Sequence, residues 1–327
     1  MNILITSVGR RGYLIDFFRQ SCESEDRILT ANSIVGSPGS LRADQHFAIP
    51  PASDSAFKQS LLSLCEEQKV DLLFSLHDWE APAISAIKPQ LAAIGTNAVV
   101  PDPKTCLICL DKLKTYQWAT ERDIPTPRSW VDRDAALDEG QFPFIVKPRY
   151  GQGSVGIFKV DNVPELDAAL LLAAKAAKLF PSLSGVDQEA PALLISEWIE
   201  GRQIGINVVN NYSGEFAGAL AIKKVSFRSG ETEEATTLVE DNLKATGELI
   251  GTHLAHSGIC DCDIIESAGT NYLIELNPRF GGQYPFFHLA GADVPRYLRN
   301  LAAGISTPEL LSYTPQQTRT KQFSFSK

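Results

Sequence analysis

The first hundred residues alternate short β-type apolar runs with helical ones: Ile3 to Thr6, Tyr13 to Arg19, Ile28 to Ala31, Phe57 to Cys65, Leu72 to Leu76 and Ile84 to Leu91. Strand pattern followed by helix pattern followed by strand pattern is the grammar of βαβ units, and it closes on a parallel sheet. That grammar stops at Pro101-Asp102-Pro103, which sets a domain boundary near residue 102. A helix is expected over Cys106 to Arg122, closed by Ile124-Pro125-Thr126-Pro127. Strands then come in pairs: Phe144 to Lys147 with Ile157 to Val160, and Ile204 to Asn210 with Glu215 to Val225 across a turn at Asn211-Tyr212-Ser213-Gly214. Such pairs predict antiparallel hairpins. An amphipathic helix is expected over Val163 to Leu179. The fold class is therefore α/β followed by α+β. A polar stretch with breakers, Leu183 to Pro191, precedes the strand Leu193 to Glu197 and divides the second domain into two lobes. A helix from Glu240 to His256, strands Cys262 to Ile265 and Tyr272 to Leu276, and a short helical tail complete the chain, with the last dozen residues expected to fray.

Composition narrows the function classes. The chain has 327 residues, enough for two domains with real cores, and 44% hydrophobic against 21% charged residues excludes global disorder. A formal net charge of −9 argues against a nucleic-acid partner. The N-terminus runs straight into a strand without a basic or long apolar leader, and no apolar stretch reaches membrane-spanning length. Six cysteines are too sparse for a disulfide framework, so free thiols and a cytoplasmic location are expected.

Two segments carry most of the chemistry. In Phe144-Ile145-Val146-Lys147-Pro148-Arg149-Tyr150-Gly151-Gln152-Gly153-Ser154-Val155-Gly156, a strand ends in a lysine and a loop with three glycines. Glycines let backbone N–H groups converge on an anion, and the lysine adds positive charge, so the segment points to phosphate. A plain flexible hairpin is the alternative. In Tyr272 to Arg279, strand alternation puts Glu275, Asn277 and Arg279 on one face. With Asp263 from the neighbouring strand, these oxygens suit Mg²⁺, and Arg279 suits a phosphoryl group. An ordinary solvated strand face is the alternative there. A weaker element, Leu194 to Gln203, is an apolar strand running into a charged turn whose backbone can face a purine edge, as many surface turns can.

The order of these elements resembles the ATP-grasp superfamily: Asp111-Lys112 on a helix, Lys147 with its glycine loop, Ser196-Glu197-Trp198-Ile199-Glu200-Gly201, Asp263, then Glu275-x-Asn277-Pro278-Arg279. Asn277-Pro278-Arg279-Phe280-Gly281-Gly282 with Tyr284-Pro285 is most similar to the synthase halves of the carbamoyl-phosphate synthase large subunit and to small stand-alone carboxylate–amine ligases. The resemblance implies a pre-ATP-grasp, Rossmann-like parallel-sheet domain over 1–102, an ATP-grasp domain over 103–315 with lobes at about 103–190 and 191–315, and a tail over 316–327. It implies ATP and one or two Mg²⁺ ions as cofactors. Lys112 and Lys147 would contact phosphates, and Gln152, Gly153, Ser154, Val155 and Gly156 would close over them. Glu197 would accept from the adenine amino group, with Trp198 and Ile199 reading the ring edge through their backbone. Asp263, Glu275 and Asn277 would hold the metal, and Arg279 would join Lys147 in stabilising an acyl phosphate.

Two positions depart from the family pattern. Gln203 stands where a ribose-binding Glu is usual, and Asp261 stands where dipeptide-type ligases commonly place an Arg, which argues against a D-alanine:D-alanine ligase. The implied reaction activates a carboxylate, or bicarbonate, to an acyl phosphate that an amine attacks. An ATP-binding regulatory or partner subunit without turnover, and a phosphotransferase that stops at the phosphorylated acid, are the competing readings. A homodimer or a partner chain fits a single synthase half.

Substrate contacts are expected at the carboxyl ends of the first strands, from Arg10 and Arg11 and from His77 and Asp78, although Asp78 also reads as a helix N-cap. Lys223, Lys224, Arg228 and Glu231 flank a hairpin that either arches over the acceptor or is a solvated charged face. Cys106-x-x-Cys109 and Cys260-x-Cys262 lack a suitably spaced His for zinc, and His253 and His256 read as structural or surface residues.

Overall fold

The computed structural model describes residues 1–34, 36–180, 191–228 and 230–322. The polar stretch at 183–190 and the end of the tail, 323–327, lie outside them.

The alternation of the first hundred residues becomes β1 (Asn2–Thr6), α1 (Gly12–Ser21), β2 (Arg27–Asn32), β3 (Gln45–Ala48), α2 (Phe57–Glu67), β4 (Leu72–Ser75), α3 (Ala81–Ser85), α4 (Lys88–Ala93) and β5 (Asn97–Ala98). All five strands are parallel, in the order β3-β2-β1-β4-β5. The helix expected over Ile84 to Leu91 is instead the pair α3 and α4, because Pro82 and Pro89 sit in the first turns of two separate helices. The chain leaves β1 toward β2 and returns to β4 on its other side. Residues 7–12 and 76–80 therefore share the crevice at the switch point, where open α/β sheets bind ligands.

Next come α5 (Pro103–Leu110), α6 (Lys112–Thr120), β6 (Ser129–Trp130), α7 (Arg133–Glu139), β7 (Phe144–Pro148), β8 (Phe158–Val160), α8 (Val163–Ala177) and β9 (Leu193–Glu197). Cys106 to Arg122 is not one helix. Asp111 is extended there (φ −101°, ψ 104°), and its carboxylate caps α6 by accepting from the Leu113 and Lys114 amides. The small antiparallel sheet runs β6-β9-β7-β8, so β9 belongs with the strands before it, and the break between the lobes falls after Glu197 rather than near 190. Helices α5 and α6 also change sides: Cys109, Trp118 and Ala119 pack in the core of the large sheet.

That large antiparallel sheet, β14-β13-β10-β11-β12-β15, is built from β10 (Arg202–Asn210), β11 (Phe216–Arg228), β12 (Glu231–Leu238), β13 (Gly258–Ser267), β14 (Thr270–Asn277) and β15 (Thr318–Thr320). Helices α9 (Asp241–Leu254), α10 (Tyr284–His288) and α11 (Val294–Ala302) accompany it. The tail is not frayed at its start, since β15 pairs with β12 over Thr318 to Thr320. Phe18 and Phe74 of the first domain meet Phe280 of the large lobe edge-on, and Phe280 in turn packs edge-on against Tyr284, with all four rings almost fully buried. Continuous apolar burial of this kind fixes the crevice of the parallel sheet against the large lobe. The small lobe keeps its own core around Trp130, Phe144, Val146 and Leu166. Among the described residues no helix is long and apolar enough to cross a membrane.

Candidate active site

The break at Asp111 organises one wall. Its carboxylate takes a two-pronged ion pair from Arg149, Nε and Nη2 each at 2.6 Å, and accepts from the Tyr150 hydroxyl at 2.9 Å. Both Asp111 and Arg149 are buried, so the pair gains from weak screening only because its hydrogen bonds are completed. The result is mechanical. The first residue of α6, Lys112, is held beside the strand that carries Lys147, and the Lys112 amide donates to the Arg149 carbonyl.

Between the two sheets lies a cleft of about 350 Å³, lined among others by Lys112, Lys147, Ser154, Glu197, Trp198, Ile199, Gln203, Lys224, Asp263 and Glu275. Residues scattered over 164 positions of sequence thus face one space. Lys147 donates to the Tyr116 hydroxyl at 2.6 Å and lies over that ring. Burial, reinforced by the nearby Lys112 charge, lowers the Lys147 pKa to about 7. Lys112 Nζ pairs with Glu275 Oε1 at 2.8 Å.

Register explains the acidic face. Opposite residues of an antiparallel pair share a face, and Asp263 lies opposite Glu275 while Asp261 lies opposite Asn277. Asp263 is paired with Lys224 and accepts from the Gln283 side-chain amide at 2.6 Å. Lys224 is thus a buried cleft residue rather than part of a solvated face, because β11 and β13 flank the same strand, β10. Two carboxylates and one amide carbonyl on one face fit Mg²⁺, which takes few protein oxygens and completes its shell with water and phosphate. Among the described residues no three His, Cys, Asp or Glu side chains cluster tightly enough to hold a metal by themselves.

Arg279 continues this face outward. Its Nη2 donates to Asp78 Oδ2 at 2.8 Å, and Nη1 lies 3.6 Å from Asp261 Oδ2. Asp78 is therefore no helix cap; it joins the first domain to the large lobe through an ion pair. Burial, reinforced by Asp263, raises the Asp261 carboxyl to about 7, and the fit is tight, since any side chain at Gly281 would collide with it. Arg279 Nε and Asp78 Oδ1 are buried without hydrogen-bond partners among the described residues.

The glycine loop folds onto both neighbours. Gly153 and Ser154 have positive φ (65° and 59°), and a Cβ at Gly230, on the β11–β12 hairpin, would lie 2.7 Å from the Gly153 carbonyl carbon. Gln152 meets His77 at 3.4 Å, and Trp79 stacks on Phe180 with ring planes 1° apart. Of the loop's residues 152–156, Ser154 alone is among those lining the cleft; Gln152 lines a small neighbouring cavity with Asn277 and Asp78. At the far end, Glu197 Oε2 accepts from the Arg128 amide at 3.2 Å. Gln203 is exposed on the cleft rim.

Other expected residues fall outside the cleft. Arg10 is exposed, and Arg228 pairs with Glu233 at 3.1 Å. Arg11 turns toward Glu231 and the Leu76 carbonyl instead. His253 is exposed, whereas His256 is buried against the Val208 carbonyl, with its pKa lowered by burial. Cys106, Cys109, Cys260 and Cys262 are free and buried. Sequence reasoning passed over Tyr116, Gln283 and the buried role of Lys224, whose only signal was polarity at helix, turn and strand positions that the fold covers.

The comparisons agree with this geometry. Residues 3–99 match the PylC-like N-terminal domain, and residues 109–283 match the ATP-grasp domain. Curated relatives include D-alanine–D-alanine ligases of Francisella. The protein from F. philomiragia subsp. philomiragia is 27% identical over 162 residues, covering 48% of this chain and 49% of that protein. The one from F. tularensis subsp. novicida is 25% identical over 245 residues, covering 68% of this chain and 75% of that protein. The chain thus spans about half the length of the first relative and three-quarters of the second. Similar solved structures include a biotin carboxylase–β,γ-ATP complex from Campylobacter jejuni, with TM-score 0.75, 16% identity, and 97% of this chain and 74% of that one covered. An L-amino acid ligase from Bacillus licheniformis gives TM-score 0.70 and 16% identity, with 97% and 78% covered. With the ATP-grasp match taking in more than half of its length and the cleft lying between the two sheets of that region, the chain belongs to the ATP-grasp family.

Proposed function

We propose that the chain is an ATP- and Mg²⁺-dependent carboxylate–amine ligase that works through an acyl phosphate. The observation that carries this reading is the convergence of Lys112, Lys147, Asp263 and Glu275 on one cleft whose other end is walled by Glu197, Trp198 and Ile199. Glu197 and the backbone that follows it receive the adenine, Gln203 meets the ribose as an uncharged hydrogen-bond partner, and the two lysines face the phosphates. Asp263, Glu275 and Asn277 would hold Mg²⁺, which would neutralise phosphate charge. Lys112 and Lys224, paired with those carboxylates here, stand where they would meet the phosphate oxygens. Arg279, fixed by Asp78, stabilises charge on the phosphoryl group and on the acyl phosphate.

Little covalent help from the protein is needed. Holding the acid in line with the γ-phosphate, and the amine against the carbonyl carbon of the acyl phosphate, supplies much of the rate, on the order of 7–11 kcal/mol for well-oriented reactants. Five of the six cysteines are buried and Cys22 is half-buried, and no side chain is assigned as a nucleophile. D-alanine is not assigned as a substrate, because Asp261 places a carboxylate where the dipeptide-type ligases of this superfamily commonly place a cation.

The depressed Lys147 gives this reading a pH signature. A lysine near pKa 7 is mostly neutral at pH 8, and phosphates beside it favour the charged form, so ATP binding takes up protons. Titration calorimetry in buffers of differing ionisation enthalpy is expected to show uptake of about 0.9 proton at pH 8 and about 0.1 at pH 6. Uptake that does not change between the two would remove Lys147 from the phosphate site.

The function itself is tested by Mg²⁺-dependent ADP release from ATP across a matrix of carboxylates and bicarbonate, each with and without ammonia and amino acids. Release that requires one acid and is stimulated by one amine establishes the ligase. ATP binding without release under any combination would favour a nucleotide-binding partner subunit.

A further inference from the structure

A second cluster of charge lies outside the nucleotide cleft, where five segments meet. Arg11 comes from the loop after β1, Tyr13 from α1, Glu231 from the start of β12, Gln283 from the turn before α10, and Lys321 from just beyond β15. Arg11 Nη2 is 3.7 Å from Glu231 Oε1, and Lys321 Nζ is 3.9 Å from Glu231 Oε2. Both separations exceed hydrogen-bond length, so one carboxylate stands between two cations and bonds neither. Among the described residues, Lys321 Nζ, the Tyr13 hydroxyl and Gln283 Oε1 are buried with no hydrogen-bond partner. Buried polar groups in such a state are costly to keep unless something completes them.

The place is shaped as well as charged. Lys321 Nζ lies 5.7 Å from the centre of the Phe286 ring, and a Cβ at Gly282 would come within 3.4 Å of it. Glu231 is 49% exposed, which leaves an approach from solvent. Toward the cleft the sign changes. Asp78 Oδ1 is buried and unpaired among the described residues, and Asp261, beside Arg279, lies close enough to act electrostatically on both Tyr13 and Lys321. Positive charge at one end and negative at the other matches a zwitterion.

We infer that Arg11 and Lys321 bind the non-reacting carboxylate of an amino-acid acceptor whose ammonium end lies toward Asp78 and Asp261. The inference rests on the ligase reading and names its acceptor class. The reacting acid meets the phosphates at Lys147 and Arg279, which leaves the side toward the first domain for the amine. The C-terminal strand β15 has a role in this arrangement, since its pairing with β12 is what carries Lys321 into the cluster.

The test compares L-amino acids with the corresponding amino-acid amides as acceptors, by ADP release with the acid that the matrix identifies. Amides lack the carboxylate and, because their α-amine is less basic, hold a larger fraction of it unprotonated at pH 8, so intrinsic reactivity favours them. The wild-type protein is nevertheless expected to prefer the free acids by at least about tenfold in kcat/KM. Lys321→Met is expected to reduce that preference at least about tenfold, through KM of the acceptor rather than kcat, with Lys321→Arg restoring most of it. Equal use of amides by the wild type, or an unchanged preference in Lys321→Met, overturns the inference. Hydroxylamine distinguishes the two levels, because it traps an acyl phosphate without an acceptor site. Hydroxamate formation with no preference between acids and amides defeats this inference alone, whereas no hydroxamate with any acid defeats the ligase reading and this inference with it.

Discussion

Asp111→Ala is expected to lower the free energy of unfolding by about 3–5 kcal/mol, the usual result of stranding one partner of a buried ion pair. The reasoning is local. Arg149 donates to Asp111 through two nitrogens at 2.6 Å, and both side chains are buried, so removing the carboxylate leaves a guanidinium in a site built around its partner. The same carboxylate caps α6, and loss of a cap alone costs on the order of 1 kcal/mol. Asp111→Asn separates the two effects, because an amide still caps but does not neutralise Arg149. Denaturant unfolding of both variants checks the assignment. A loss under about 1 kcal/mol in the alanine variant would mean that Arg149 finds other partners or reaches water. Activity is expected to fall with stability, since Lys112 and the glycine loop are held to each other at this point.

Lys147→Met is expected to move activity and stability in opposite directions. A methionine of similar length fills the same space without an ammonium whose charging is already opposed by burial and by Lys112. At pH 7 and below, where the native site must carry or resist that charge, the variant is expected to be at least as stable as the wild type. The sign follows from linkage. With the folded pKa below the unfolded one, the unfolded chain holds more protons between about pH 7 and 10.5, so this lysine's destabilising effect is absent above that window and grows as pH falls through it. ADP release, by contrast, is expected to fall by about 10²–10³-fold, the range for removing one preorganised donor to developing charge. A variant that is both less stable and fully active would show that Lys147 is a structural residue.

The fold was legible wherever a pattern repeats along the chain. Alternation from Ile3 to Leu91 carried the parallel sheet, and the runs at Phe144, Ile204 and Tyr272 carried the antiparallel strands. Reading failed where one residue serves a distant partner. Asp111 interrupts a helical pattern because Arg149 and the α6 cap both need its carboxylate, and nothing in the local sequence announces Arg149 as its partner. The polar stretch before Leu193 puts β9 with the second lobe on sequence alone, whereas its hydrogen bonds go to β6 and β7, which precede that stretch.

The candidate site divides in the same way. Lys112, Lys147, Glu197, Asp263 and Glu275 stand out in the sequence because their order along the chain is a family pattern, and all five line one cleft. Lys224 reads as a solvated charge in its own segment, because its burial is created by neighbouring strands of the sheet. Lys321 stood beyond every motif, in a tail expected to fray, and only the pairing of β15 with β12 gives it a place. Arg10 and Arg228, chosen for charge near the right strand ends, show the opposite failure, since position along a strand does not say which way a loop residue turns.

The central claim is that the acid is activated by phosphorylation within this cleft. It is tested most directly by supplying the substrate acid with both carboxylate oxygens as ¹⁸O and recording the mass of the inorganic phosphate released. An acyl-phosphate route predicts one ¹⁸O atom transferred into phosphate for each turnover, because the carboxylate oxygen that attacks ATP leaves with the phosphoryl group when the amine displaces it. Unlabelled phosphate accompanying product formation would contradict it.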